Sequence, residues 1–340
     1  LKELSIRKLI QALNFKRIFN FVKVETSFLI SKLFHRNICW GFPYIFTVEP
    51  GSLCNLKCPL CVVGSQKLNR LQGLMSYELF ERLLNEIGNY LIEILLFNQG
   101  EPFLHPKLID FIRLSKKKKI YTSVSTNGHF LTNPDKVRDL IQSRLDVLIV
   151  SIDGASAETY TKYRHGGNFQ QVISGVKKVQ SLKRELKARH PEIYLQFLVT
   201  RQNESEIDAI RQLSQEIKAD RLLFKTLQVE NLEEANLYLP EDERFSRYIV
   251  SPDGIKLKRK SSFTCGRLWR SSVLLSDGQI VGCCFDKNAE YPAGRLDGKT
   301  QFKQIWYSKN YAQLRNQTLH KRTIGGLCGN CTEGVKIYHI

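Results

Sequence analysis

The chain has 340 residues, 42% of them hydrophobic, with nine cysteines and a formal net charge of +18. This length suits a main domain of barrel scale with a small appendage, and the apolar fraction excludes a low-complexity chain without a core. No uncharged apolar run reaches about 18 residues, so no spanning helix is expected. The N-terminus also lacks the uninterrupted apolar core of a signal peptide. Cysteines without a secretion signal point to ligands in a reducing cytoplasm rather than to disulfides.

Residues 1–43 read as a basic amphipathic helical extension. Leu4, Leu9, Ile10, Leu13, Ile18, Phe19 and Val22 recur near helical spacing, among Arg7, Lys8, Lys16, Arg17 and Lys23. Such a helix either lies on the inner face of an anionic membrane or packs its stripe on the main domain or a partner.

From Tyr44 to residue 228, short β-rich runs alternate with helical segments. The expected strands are Tyr44–Val48, Ile92–Asn98, Ile120–Thr126, Asp146–Ile152, Ile193–Thr200 and Arg221–Thr226. Ser76 and Asn133-Pro134 supply helix starts, and Asn203 is the expected cap of a helix carrying Ile207, Ile210 and Leu213. Six β/α units in series predict an α/β fold, a partial (β/α)6 TIM-like barrel with a parallel sheet and helices outside. Chemistry then belongs at the C-terminal strand ends. Residues 229–264, polar and weakly periodic, read as a linker across the barrel mouth, with a cationic run at Lys256–Lys260. Residues 265–340 read as a small β-hairpin and helix domain, with Ser276-Asp277-Gly278 as the hairpin turn.

After the first strand comes Cys54-Asn55-Leu56-Lys57-Cys58-Pro59-Leu60-Cys61. Three thiols in one loop can surround a compact inorganic body and leave one iron of a four-iron cluster open. The alternative is zinc with a fourth ligand from Cys39 or His35. Five further cysteines, Cys265, the pair Cys283-Cys284, and Cys328 with Cys331, form a second candidate site for an iron–sulfur cluster or zinc.

The segment from Thr47-Val48-Glu49-Pro50 through the cysteine loop resembles the signature of the radical S-adenosylmethionine (radical SAM) enzymes. The resemblance implies a [4Fe–4S] cluster on Cys54, Cys58 and Cys61, with S-adenosylmethionine on the open iron. Gln99-Gly100-Glu101 resembles the family's Gly-Gly-Glu motif for the methionyl ammonium, with Gln99 in place of the first glycine. Ser125 and Asn127 match a segment facing the nucleoside and methionine, Ser151 and Asp153 a ribose-facing segment, and Arg164 an arginine that meets the methionine carboxylate. The C-terminal domain is similar to the short "twitch" form of the SPASM extension. That likeness implies an auxiliary [4Fe–4S] cluster on Cys265, Cys283, Cys328 and Cys331, with Cys284 packing behind or exchanging roles with Cys283.

The implied activity is reductive cleavage of S-adenosylmethionine to a 5′-deoxyadenosyl radical, which takes hydrogen from a peptide or a sugar or alcohol substrate. The auxiliary cluster accepts an electron, and an external reductant of flavodoxin or ferredoxin type supplies one. Arg201, Lys225 and Asp286 are the candidate bases. Epimerisation, which is redox-neutral, or carbon–sulfur bond formation in a peptide is the second enzymatic reading. A basic, metal-stabilised scaffold on membrane or nucleic acid is the non-enzymatic one. The strand-end motifs favour enzymes, and no nucleic acid is expected.

Overall fold

The structure, a computed structural model, describes residues 14–258, 265–320 and 325–331. Leu4, Arg7, Lys8, Leu9, Ile10, Leu13, Arg259 and Lys260 of the sequence reading lie outside the described residues. The strands are β1 Ile45–Val48, β2 Glu93–Leu95, β3 Tyr121–Thr126, β4 Val147–Ser151, β5 Glu192–Val199, β6 Arg221–Thr226, β7 Tyr248–Ser251, β8 Gly254–Leu257, β9 Ser271–Leu274, β10 Gln279–Val281 and β11 Pro292–Arg295. The helices are α1 Phe15–Phe34, α2 Tyr77–Ile87, α3 Leu108–Lys117, α4 Pro134–Gln142, α5 Ala157–Tyr163, α6 Phe169–Glu185, α7 Ile207–Glu216, α8 Leu232–Tyr238, α9 Arg267–Arg270, α10 Phe302–Trp306 and α11 Lys309–His320. Each of the six expected strands is present within a few residues of its expected bounds.

The chain forms two compact units. The first comprises Leu1–Leu53, Leu68–Val124 and Thr264–Cys328, and the second Cys54–Lys67, Ser125–Phe263 and Gly329–Ile340. In the first unit β1 pairs in parallel with β2 on one side and β9 on the other, and β2 pairs in parallel with β3. β9, β10 and β11 continue as an antiparallel meander. The core here is aromatic. Phe80 stacks on Phe111 at 4.2 Å, and Phe302 lies edge-on to Phe46 at 5.3 Å. In the second unit β4, β5 and β6 are parallel neighbours, and β7 and β8 form a hairpin. Every residue of β4 is buried, as a strand covered on both faces requires.

Capping follows local chemistry. The Ser76 hydroxyl accepts from Leu79 N at 3.2 Å, and Asn133 Oδ1 accepts from Lys136 N at 3.0 Å ahead of Pro134. Asn203 behaves differently from its expected role. It precedes a 3₁₀ turn, Glu204–Glu206, and makes no helix-cap bond. Its buried amide instead donates to Asp153 O and Leu198 O, and its Oδ1 accepts from Thr200 N. Those carbonyls at strand ends need donors more than the turn does.

The segment expected to be a linker is structured. Residues 229–258 hold α8, a 3₁₀ turn and the β7–β8 hairpin. Beyond the hairpin, the helical part of the C-terminal domain is divided into α10 and α11. In α1, Ile18, Phe19 and Val22 face outward rather than packing on the main domain. Among the described residues, no helix is long and apolar enough to cross a membrane.

Candidate functional site

The cysteine loop belongs to the second unit and is wound tightly on itself. Cys61 N donates to Cys58 O at 3.2 Å, Leu56 N points at the Cys54 sulfur at 3.4 Å, and Lys57 N donates to His165 O at 2.9 Å. Gly64 closes over this coil. A Cβ there would fall 2.5 Å from Cys58 N and 2.7 Å from Cys58 O, so only glycine fits.

Leu56 and Cys58 are buried in one apolar cluster with Tyr163, Leu227, Val229, Ala235, Leu239 and Tyr248, and Cys54 and Cys61 pack on its edge. The supposed linker thus forms the floor beneath the thiols. Its apolar positions are scattered among acidic residues, which is why periodicity did not reveal it. Asn330, between Cys328 and Cys331 in sequence, reaches this floor too. Its Nδ2 donates to Val229 O at 2.7 Å, and Tyr248 donates its hydroxyl to Asn330 Oδ1.

A polar chain supports the loop from the strand ends. Asn127 Nδ2 donates to Asn55 Oδ1 at 2.8 Å. His129 braces Asn127. Its Nε2 lies 2.8 Å from Asn168 N, which must be the donor, so the ring proton sits on Nδ1 and is given to Asn127 Oδ1 at 2.9 Å. Asp153 is fully buried, and its two carboxylate oxygens accept from Leu198 N at 2.8 Å and Arg164 Nε at 2.5 Å. Ser151 Oγ accepts from Gln196 Nε2 at 3.4 Å.

Burial works against the Arg164 charge, but the Asp153 carboxylate beside it outweighs burial, so the guanidinium stays charged. Burial pushes the Cys58 thiol up to about 11. The Arg164 cation pulls it back, while Cys61, Asp153 and Cys54 push it further up. A lone Cys58 therefore carries its proton at neutral pH, and an electropositive ligand must displace it.

In the first unit, Gly100 has φ +74°, and a Cβ on it would lie 2.5 Å from Gly51 O and 2.7 Å from Leu53 O. Glu101 N donates to Leu53 O at 2.7 Å, and its buried carboxylate accepts from Phe103 N at 3.0 Å. The Gly100-Glu101 turn is thereby clamped to the residues that lead in sequence into Cys54. Glu49 is the centre of this arrangement and received no role in the sequence reading. It is fully buried and accepts from Arg70 Nη2 (2.8 and 2.7 Å), Asn98 Nδ2 (3.2 Å), Gln99 N (3.2 Å), and both Ser276 N (3.2 Å) and Ser276 Oγ (3.0 Å). One carboxylate ties the end of β1, the Gln99 turn and the C-terminal hairpin together. A lone acid directly after an apolar strand was the signal available for it.

Gly278, with φ +90°, makes the expected hairpin turn, and Cys283 and Cys284 follow β10. Cys284 packs on Val273, Leu275 and Val281, and Arg267 Nη1 lies 3.8 Å from its sulfur. The Cys283 thiol is pushed up by its bond with Cys284 and by burial. Cys265 and Cys328 belong to the first unit and Cys331 to the second, and no cysteine is in a disulfide. Among the described residues, no three Cys, His, Asp or Glu side chains are gathered as ligands of a single metal ion.

Cys39, offered as a fourth zinc ligand, is half-buried in the first unit. Its sulfur contacts Gly41 O at 3.6 Å, with Arg315 and Trp306 nearby. His35 ends α1, exposed, its ring 5.9 Å from His320. Of the candidate bases, Arg201 is exposed and bonded to Leu239 O and Glu241. Asp286 is buried, with its oxygens accepting from Glu290 N and Tyr291 N. Lys225 lies on β6, half-buried.

The donor set suits an iron–sulfur cluster. Three thiols share one eight-residue loop, the central one is buried beside a fixed cation, and an apolar floor limits water. Comparison with known proteins agrees. Residues 48–213 match the radical SAM superfamily, and residues 265–332 match an iron–sulfur cluster-binding domain, SPASM. A tungsten-containing aldehyde ferredoxin oxidoreductase cofactor-modifying protein of Pyrococcus furiosus is 27% identical over 188 residues, 53% of this chain and 50% of the relative. The chain thus spans about half the length of that relative. Mycofactocin maturase MftC of Mycobacterium tuberculosis is 24% identical over 314 residues, 85% of this chain and 75% of the relative. Streptococcus suis SuiB, crystallised with S-adenosylmethionine, shares the fold at a TM-score of 0.63 and 16% identity, over 91% of this chain and 76% of that one. The chain belongs to the radical SAM superfamily, with [4Fe–4S] and S-adenosylmethionine as cofactors of its main domain and an auxiliary iron–sulfur cluster in its SPASM domain.

Proposed function

We propose that this protein oxidatively modifies a peptide by radical chemistry. The observation that carries the reading is the likeness to MftC, a maturase, which runs through 85% of this chain and therefore through both domains. SuiB, similar in fold, has been crystallised with its precursor peptide SuiA, which adds support for a peptide substrate. When bound and reduced, the cluster with S-adenosylmethionine supplies a 5′-deoxyadenosyl radical able to take hydrogen from an unactivated C–H bond.

The chain's own residues hold and orient. Cys54, Cys58 and Cys61 ligate the cluster, and Gly100 and Glu101 receive the methionyl ammonium, with Gln99 shaping the turn. Ser125 and Asn127 face the cosubstrate, and Ser151 lies at the next strand end. Asp153 and Arg164, being paired with each other, act as positioning residues beside Cys58. Cys265, Cys283, Cys328 and Cys331 would hold the auxiliary cluster, which would supply a one-electron acceptor. A small flavodoxin- or ferredoxin-like protein in a reducing cytoplasm delivers the initiating electron.

The test is anaerobic turnover with candidate peptides encoded beside the gene, read by product mass. The expected product has lost two hydrogens and appears with 5′-deoxyadenosine. An unchanged mass with solvent-derived label at one carbon contradicts the oxidation. Turnover of sugar alcohols with none of peptides contradicts the substrate class.

A further inference from the structure

Helix α1 is built inside out. The fully buried positions of its inward side are Arg17, Asn20, Ser27, Ser31 and one apolar residue, Val24, flanked by the half-buried rings of Phe21, 5.0 Å from Tyr44, and Phe28, 5.2 Å from Trp269. Arg17 Nη1 donates to Lys119 O at 2.8 Å, and Nη2 donates to Lys118 O at 2.6 Å and Gly88 O at 3.2 Å, closing the C-terminal ends of α2 and α3. Asn20 pairs in both directions with the backbone of Phe42, at 2.9 Å each way. Ser31 Oγ accepts from Ile38 N at 3.0 Å. Glu25 holds Arg270 through two bonds of 2.8 and 2.6 Å. These directional bonds fix which way the rest of the helix turns.

What turns outward is hydrophobic. Phe15, Ile18, Phe19, Val22, Leu29 and Leu33 are between 47% and 83% exposed. Their helical spacing places them on one stripe, along a 20-residue helix about 30 Å long. Lys16, Lys23 and Lys32 border it, with Lys23 Nζ 4.4 Å over the Phe19 ring. The helix's one acid, Glu25, is spent on Arg270. An apolar face running the length of the helix, broken by the exposed Thr26, marks an interaction surface.

We infer that this face of α1 docks on an anionic lipid bilayer, with its apolar stripe at the headgroup boundary and its lysines among the lipid phosphates. Charge selects this occupant. A formal net charge of +18 is complementary to an anionic membrane face and opposes pairing with a second copy of the same chain. A straight apolar stripe with cationic shoulders is also the form that interfacial helices take.

The test is co-sedimentation of the full chain with vesicles of phosphatidylglycerol and phosphatidylcholine in equal parts, against pure phosphatidylcholine. Binding to the anionic vesicles is expected to exceed binding to the neutral ones by about tenfold or more, and to weaken in high salt. The triple variant Phe19→Glu, Leu29→Glu, Leu33→Glu, placed at exposed positions, is expected to lose about tenfold or more in binding with its circular dichroism unchanged. A second variant, Lys16→Gln, Lys23→Gln, Lys32→Gln, keeps the stripe and is expected to lose most of the anionic preference. Equal binding to both vesicle types, binding that survives the glutamate variant, or a dimer in solution that the glutamate variant converts to monomer without vesicle binding would each overturn the inference.

Discussion

Arg164 donates through Nε to Asp153 Oδ2 at 2.5 Å, with the carboxylate fully buried and the guanidinium largely so. The same cation acts on the Cys58 thiol, so one ion pair links the end of β4 to the cysteine loop. Arg164→Gln removes the cation paired with the buried Asp153 carboxylate, and a loss of about 3–5 kcal/mol in stability is expected. Denaturant unfolding measures it. Arg164→Lys should recover part of the loss, because a single ammonium restores charge without the planar geometry. A loss below about 1 kcal/mol would mean the pair is idle.

Gly100→Ala meets two obstacles. The left-handed backbone costs a side chain about 1–2 kcal/mol. The added carbon would also lie 2.5 Å from Gly51 O and 2.7 Å from Leu53 O, neither of which is a flexible side chain. The variant should lose at least about 2 kcal/mol and bind S-adenosylmethionine at least about tenfold more weakly by equilibrium dialysis. Wild-type affinity in this variant contradicts the role given to the turn.

Glu49 offers a contrast, because its partners are many rather than rigid. Glu49→Ala strands the buried Arg70 and unties Asn98, Gln99 and Ser276 together, and should cost about 3–5 kcal/mol. Glu49→Gln keeps the shape and an acceptor oxygen, and should cost less. Equal losses in the two variants would show that packing, and not the hydrogen-bond hub, is what matters.

Acid should loosen the cysteine loop through His129. Burial holds the His129 pKa below its ordinary value of 6.5, opposed by its bond to Asn127 and aided by the Arg164 charge. His105, buried with Nε2 2.8 Å from Met75 O, is lowered in the same way. A lowered folded-state pKa means the unfolded chain binds more protons below 6.5. Stability is therefore full above about pH 6.5 and falls as the pH drops from there through the folded values. Protonating Nε2 of His129 would also set two donors face to face with Asn168 N. Unfolding free energies from about pH 7.5 to about pH 5 should decline, and His129→Gln should flatten part of that decline. A pH-independent wild type contradicts this.

The parallel strands were legible because each is a compact run of apolar and β-branched residues ending in a polar turn. The cysteine loop was legible because its spacing has few other uses. What escaped was anything decided by distant partners. Glu49 has five hydrogen-bonding groups around it, supplied from three stretches of chain, and nothing in Thr47-Val48-Glu49-Pro50 announces them. Tyr248 and Val229 lie in a polar stretch, yet they pack in the same cluster as Cys58. Amphipathicity located α1 correctly but could not give its orientation. Arg17, Asn20 and Ser31 win the inward side through hydrogen bonds to exposed helix ends and loops, and that outcome is invisible to hydropathy.

The most direct measurement is iron, sulfide and 5′-deoxyadenosine on anaerobically reconstituted protein, compared with a Cys54→Ala, Cys58→Ala, Cys61→Ala variant. The wild type should hold about eight irons, fall to about four in the variant, and form 5′-deoxyadenosine from S-adenosylmethionine under strong reductant only when the three thiols are present. Zinc in place of iron, or nucleoside formation that survives loss of the three thiols, would contradict the account.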